Sequence, residues 1–160
     1  MELRIAFLHG LESPHISDKT EFLNKEFSFV YAPKMDYHDP NLFEKTLKEI
    51  QENKIDLIIG SSMGGWFAYC LSTHTNIPTL LFNPAFHSRS FNPVVTTSDY
   101  LVHQTIVLGM NDDLIKATDT VDYLHENNIG NLVFFEENGH RTPIDIFTKY
   151  VNKVVNNFVK

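Results

Sequence analysis

Serine, carboxylate and histidine follow one another along this chain in an order that suits acyl transfer. A serine hydroxyl is a weak nucleophile until a base takes its proton. Histidine commonly supplies that base, and a carboxylate fixes its tautomer and steadies the imidazolium that forms. The apolar run Ile55-Asp56-Leu57-Ile58-Ile59 stops at Gly60-Ser61-Ser62-Met63-Gly64, and a run of helical character follows. This is the G-x-S-x-G pattern of a nucleophile elbow, a sharp strand-to-helix turn that exposes the serine oxygen. Side chains two before and two after that serine would strike neighbouring backbone, so glycine is needed there. Gly60 and Gly64 occupy both places around Ser62. Centring the turn on Ser61 puts Ile59 and Met63 in the crowded positions, so Ser62 is the candidate nucleophile.

The partners follow downstream. Gly109-Met110-Asn111-Asp112-Asp113-Leu114-Ile115 closes one predicted strand, and Gly139-His140 follows the last. Ser, then Asp, then His is the chain order of hydrolases built on a strand–helix sheet. Of the 8 histidines, only His140 follows the last strand in a glycine-flanked loop. His9 also ends a strand, but it precedes the elbow and is expected to shape the loop that supplies an oxyanion donor. His15, His38, His74, His87, His103 and His125 are expected on the solvated surface. Asp112 is favoured as the acid over Asp113, which could cap the next helix. Asp119, Asp122, Glu136 and Glu137 are weaker alternatives. A tetrahedral intermediate needs two donors aimed at its oxygen; the expected pair is the backbone N–H groups of Leu11 and Met63. The dipole of the helix that starts at Met63 adds to the same stabilisation.

These groups need a scaffold. Apolar runs at 3–8, 27–31, 56–59, 79–82, 105–108 and 132–135 predict strands. Helices are predicted at about 17–25, with Ser17 as a possible cap, at 41–53, with Phe43, Leu47 and Ile50 on one face, and at 63–73. A fourth is spaced by Leu114, Ala117, Val121 and Leu124 and ends over Asn127 to Gly130. The last carries the stripe Phe147, Tyr150, Val151, Val154, Val155 and Phe158. Alternating strands and helices imply a parallel sheet with helices on both faces. Right-handed crossovers limit the topology. Active groups then gather at the carboxyl ends of the strands. Residues 86–103 are expected to form a loop or short helical excursion over that end.

Composition narrows the classes. The 160 residues suit one domain over 1–160, and 42% apolar content is that of a globular chain. The net charge is −7, from 13 basic and 20 acidic residues without a Lys/Arg cluster. That pattern excludes a nucleic-acid footprint and argues against anionic membrane surfaces. Cys70 is the single cysteine, so an internal disulfide and a cysteine zinc site are both excluded, and it is expected as core filler. No metal or organic cofactor is implied. The chain enters a strand directly after Met1-Glu2, without a leader pattern. No apolar run approaches the roughly 18 residues of a membrane span. A cytoplasmic location is therefore expected.

Together, Leu8-His9-Gly10 with Ser13-Pro14, Gly60-Ser61-Ser62-Met63-Gly64-Gly65, Asn83-Pro84-Ala85, Gly109 to Ile115 and Gly139-His140 resemble the YqiA-like esterase family of small α/β-hydrolases. The resemblance runs from the first strand to the last loop. It implies a compact α/β-hydrolase fold: a three-layer sandwich with a six-stranded parallel sheet and no large cap domain. With that fold comes the expected strand order 2-1-3-4-5-6. It also implies Ser62 as nucleophile, Asp112 as acid and His140 as base. The expected activity is cleavage of a small acyl ester through an acyl-enzyme, with thioesterase or acyltransferase chemistry on the same triad as alternatives. The alternative of another class is a non-catalytic hydrolase-like binding module. Where the family often continues Asn-Pro-Ala with Val-Arg-Pro, this chain has Phe86-His87-Ser88-Arg89, and Arg89 is expected as a surface charge.

Overall fold

Leu57, Ile58 and Ile59 are consecutive apolar residues, and all three are fully buried. Side chains on a strand point alternately to opposite faces, so such a run has both faces covered. The computed structural model describes residues 2–89, 92, 103–129 and 132–158. Among these, the elements run β1 (Arg4–Leu8), α1 (Asp18–Glu26), β2 (Phe29–Tyr31), α2 (Leu42–Glu52), β3 (Leu57–Ser61) and α3 (Met63–Thr75). They continue as β4 (Thr79–Phe82), β5 (Gln104–Gly109), α4 (Ala117–Glu126), β6 (Leu132–Glu136) and α5 (Ile144–Val155). The six strands form one parallel sheet in the order β2-β1-β3-β4-β5-β6, as expected from the sequence.

Two apolar layers sandwich the sheet. On one face Ala6, Leu8, Ile58 and Ile106 pack against α2, α3 and α4 through Ile50, Phe67 and Leu124. On the other, Ile5, Phe7, Ile59 and Phe82 pack against α1 and α5 through Leu23, Phe147 and Val151. Each fully buried side chain of this size contributes about 1.5–3 kcal/mol. α3 lies under the centre of the sheet and is apolar nearly all round; Trp66, Phe67, Ala68, Cys70 and Leu71 are all buried. Cys70 fills core there, and burial pushes its thiol well above the usual range.

The helix ends follow local chemistry. At the start of α1 the Thr20 hydroxyl accepts from the Ser17 N–H at 2.7 Å and donates to the Ser17 carbonyl at 2.9 Å, which agrees with a cap at Ser17. One boundary differs from expectation. Leu114 precedes α4 rather than sitting on its apolar face, and it is 71% exposed. The Asp112 carboxylate accepts from the N–H groups of Leu114 and Ile115 and holds that segment in a turn. Of the stretch 86–103, residues 90, 91 and 93–102 lie outside the described ones, as does Gly130 at the end of α4.

Backbone approaches backbone closely at Gly64, where α3 meets the end of β1. A Cβ on Gly64 would collide with the carbonyl oxygens of Leu8 and His9, and one on Gly60 with the backbone of Gly64 and Gly65. We expect Gly64→Ala to cost more than the usual ~1–3 kcal/mol of an overpacked site, because backbone rather than a movable side chain blocks the methyl. A fall in thermal midpoint, or loss of soluble folded protein, checks this.

Candidate active site

Ser62 joins β3 to α3 with φ 56° and ψ −119°, a backbone conformation that a non-glycine residue adopts only under restraint. The restraint is visible. The Ser62 N–H donates to the Phe82 carbonyl at 2.9 Å, and the Ser62 carbonyl accepts from Ala85 N–H at 3.0 Å. β4 and the turn after it therefore grip the serine from behind. Its Oγ lies 3.0 Å from His140 Nε2. His140 Nδ1 lies 2.8 Å from Asp112 Oδ2. The other carboxylate oxygen of Asp112 accepts from Leu114 N–H at 2.9 Å and Ile115 N–H at 2.8 Å. With Nδ1–H donating to the carboxylate, Nε2 is the free acceptor facing the serine, the tautomer a general base requires.

The structure thus brings Ser62, Asp112 and His140 into one hydrogen-bonded chain. Asp112 is 4% exposed, whereas the adjacent Asp113 lies on the surface. The alternative acids are engaged elsewhere or stand apart from this chain. Glu136 accepts from Lys149 and Tyr150, and the paired Lys149 ammonium holds its carboxyl below the ordinary range. Asp119 faces His87 at 3.7 Å. Leu11 and Met63 both line the cleft that holds Ser62 and His140, and among the described residues neither backbone N–H has a hydrogen-bond partner. The cleft encloses about 410 Å³, with Ala85, Ser88 and Ile115 also in its wall. Among the described residues, no group of three or more His, Cys, Asp or Glu could hold a metal ion. No helix among them is long and apolar enough to cross a membrane.

His9 holds the first loop, as expected. It is buried; its Nε2 accepts from Met35 N–H at 2.8 Å and its Nδ1–H donates to the Gly10 carbonyl at 2.7 Å. The Tyr37 hydroxyl donates to the His9 carbonyl at 2.5 Å. A proton on Nε2 would oppose the Met35 N–H, and burial lowers the His9 pKa from 6.5. His74 packs on the Phe43 ring and is half-buried, so it departs from the expectation of a solvated histidine, whereas His87 is exposed as expected. Arg89 corrects another expectation: its guanidinium lies 4.3 Å from the Trp66 ring centroid and 5.5 Å from that of Tyr123, a cation–π arrangement.

The residue whose role sequence reasoning missed is Asn83. It is buried at the end of β4 with φ 43°. Its Oδ1 accepts from Gly109 N–H at 2.7 Å, and its Nδ2 donates to the His140 carbonyl at 2.9 Å and the Gly139 carbonyl at 3.3 Å. One side chain therefore ties the strand that leads to the acid to the loop that carries the histidine. The signal lay in Asn83-Pro84-Ala85, where asparagine tolerates positive φ and carries both a donor and an acceptor.

A parallel sheet of this order, with a strained serine after β3 and a histidine after β6, defines the class: the chain has the α/β-hydrolase fold. It belongs to the uncharacterised protein family UPF0227, the YqiA-like family, whose sequence profile matches residues 4–139. Solved structures are similar to it at low identity. A putative α/β-superfamily hydrolase from Xanthomonas campestris is 18% identical with a TM-score of 0.68, covering 92% of this chain and 92% of its own. An esterase from Pyrococcus furiosus is 18% identical with a TM-score of 0.71, covering 99% and 81%. A Bacillus cereus carboxylesterase is 17% identical with a TM-score of 0.60, covering 93% and 85%. No curated protein matches the chain.

Two outcomes follow from these contacts. Asn83→Ala leaves Gly109 N–H unpaired in the interior and should cost about 1–3 kcal/mol in denaturant unfolding. The His140 ring resonances should broaden at the same time as its loop loses an anchor. For His9, the folded pKa lies below the unfolded one, so the unfolded state binds the extra proton. Stability therefore falls as pH drops below 6.5 toward the folded value. Subtracting the midpoint-versus-pH curve of His9→Gln from that of the wild type should isolate this slope.

Proposed function

We propose that the protein is a serine hydrolase that cleaves small carboxylic esters through an acyl-enzyme intermediate. The observation that supports this best is the Asp112–His140–Ser62 chain, with spacings of 2.8 and 3.0 Å, opening on a cleft beside two unpaired backbone N–H groups. An esterase and a carboxylesterase among the structural relatives agree with a hydrolase on this fold.

In the first half-reaction Ser62 Oγ attacks the acyl carbon while His140 Nε2 takes the hydroxyl proton. The negative charge on the carbonyl oxygen is received by the N–H groups of Leu11 and Met63, at the start of α3, where the helix dipole adds to them. Each such donor is worth about 10²–10³ in rate. Asp112 stabilises the imidazolium and stays ionised. Collapse of the tetrahedral intermediate breaks the bond to the alcohol, which leaves with the proton from His140. Water then attacks the acyl-enzyme, His140 taking its proton and returning it to Ser62 as the acid departs. A thioester fits the same sequence of steps, with a thiol leaving. Water gives way to an alcohol in acyl transfer.

A fluorophosphonate probe and p-nitrophenyl acetate turnover test this together. Wild type should label and turn over, and Ser62→Ala should do neither. Asp112→Asn should lose roughly 10⁴ in kcat, because the amide favours the wrong histidine tautomer. Asp113→Asn, on the surface, should stay within about twofold. Absence of labelling and turnover in pure wild type would favour a binding module; loss of activity in Asp113→Asn alone would move the acid to that residue.

A further inference from the structure

The cleft beside Ser62 has two chemically different halves. Toward the α3 and α4 face its lining is apolar: Met63, Ala85, Leu114 and Ile115. Toward the α1 and α5 face it carries two cations, Lys19 from the first turn of α1 and Arg141 next to His140. The same two cations also line an adjoining pocket of about 300 Å³, which shares Gly10, Ser13 and Ser61 with the cleft and adds the hydroxyl residues Ser17 and Thr142 and the carboxylate of Asp18.

Arg141 is exposed, whereas Lys19 is partly covered. Among the described residues neither side chain forms an ion pair. Lys19 is half-buried, with its ammonium 5.6 Å from the Phe147 ring centroid. Its pKa is lowered, first by burial and further by the charge on Arg141, against a rise from Asp18. The Asp18 carboxylate spends one oxygen on the Lys19 backbone N–H at 2.8 Å, and Glu12 lines the cleft from an exposed position. The chain as a whole carries a net charge of −7, so two cations lining one cleft depart from its general field, although Glu12 and Asp18 line the same two pockets.

We propose that Lys19 and Arg141 form a carboxylate-recognition subsite, so that the substrate is an ester with a carboxylate on one side of the scissile bond and an apolar group on the other. This rests on the serine-hydrolase assignment. A carboxylate matches the planar fork of an arginine bidentately, and the lysine adds a point charge beside it. Met63 and Ile115 belong to one apolar layer of the sheet and the helix that carries Lys19 packs on the other, so the apolar and charged groups reach the cleft from different faces.

Two matched ester pairs locate the carboxylate. On the acyl side, p-nitrophenyl hemiglutarate is compared with p-nitrophenyl valerate. On the alcohol side, the acetyl ester of 4-hydroxybenzoate is compared with that of its neutral methyl ester. The quantity read is the ratio of kcat/KM for the charged over the neutral member, which does not depend on the fraction of enzyme that folds. For one pair, Lys19→Met with Arg141→Gln should lower the wild-type ratio by about 10- to 100-fold, each single change giving part of it. Arg141→Glu should lower it further. An unchanged ratio in both pairs, with neutral esters still turned over, overturns the subsite and leaves the hydrolase standing. No turnover of any of the four esters, and no phosphonate labelling, overturns the hydrolase assignment and the subsite with it.

Discussion

A serine held at φ 56° between a buried strand and a buried helix is the constraint on which the rest of this molecule turns. The conformation persists because backbone surrounds it on three sides. Phe82 and Ala85 hold Ser62 through hydrogen bonds to its own peptide groups, and Gly60 and Gly64 allow β3, α3 and the end of β1 to approach without Cβ atoms between them. The cost of the strained turn is borne by the apolar layers around α3, which cannot shift without opening the core. The outcome is a hydroxyl at the carboxyl edge of the sheet, in a fixed direction.

The groups that face this hydroxyl arrive from three other strand ends, and polar side chains lock those ends together. Asn83 bridges β4 to the acid-bearing strand and to the histidine loop. Asn111 donates to the Glu137 carbonyl at 2.9 Å and its backbone N–H to the Asn138 carbonyl at 3.1 Å, so the turns that carry Asp112 and His140 are tied directly. On the opposite side His9 and Tyr37 pin the loop that presents Leu11. Loops fixed by such hydrogen bonds are pre-organised, as the oxyanion stabilisation proposed for this site requires.

Charge is distributed unevenly around this frame. Arg89 is spent on the rings of Trp66 and Tyr123. Lys149 is spent on Glu136. Lys19 and Arg141, by contrast, stand at the cleft unpaired among the described residues. The cleft therefore sets apolar residues beside two cations, the basis of the carboxylate subsite proposed above.

By itself the sequence determined the alternation of strands and helices, because unbroken apolar runs, helical stripes and glycine spacing are local signals, and its motifs carried the family resemblance with which the expected strand order came. It also singled out Ser62 and His140, whose types and positions after strands are legible without coordinates. Between Asp112 and Asp113 it offered a preference; only the folded turn, with Asp112 turned inward to meet His140 and Asp113 outward, separated them geometrically. The clamp formed by Asn83, the stacking of Arg89 and the meeting of Lys19 with Arg141 were decided by tertiary structure alone. Each joins residues tens of positions apart in the chain, and no local pattern records which side chains a sheet will bring to one edge.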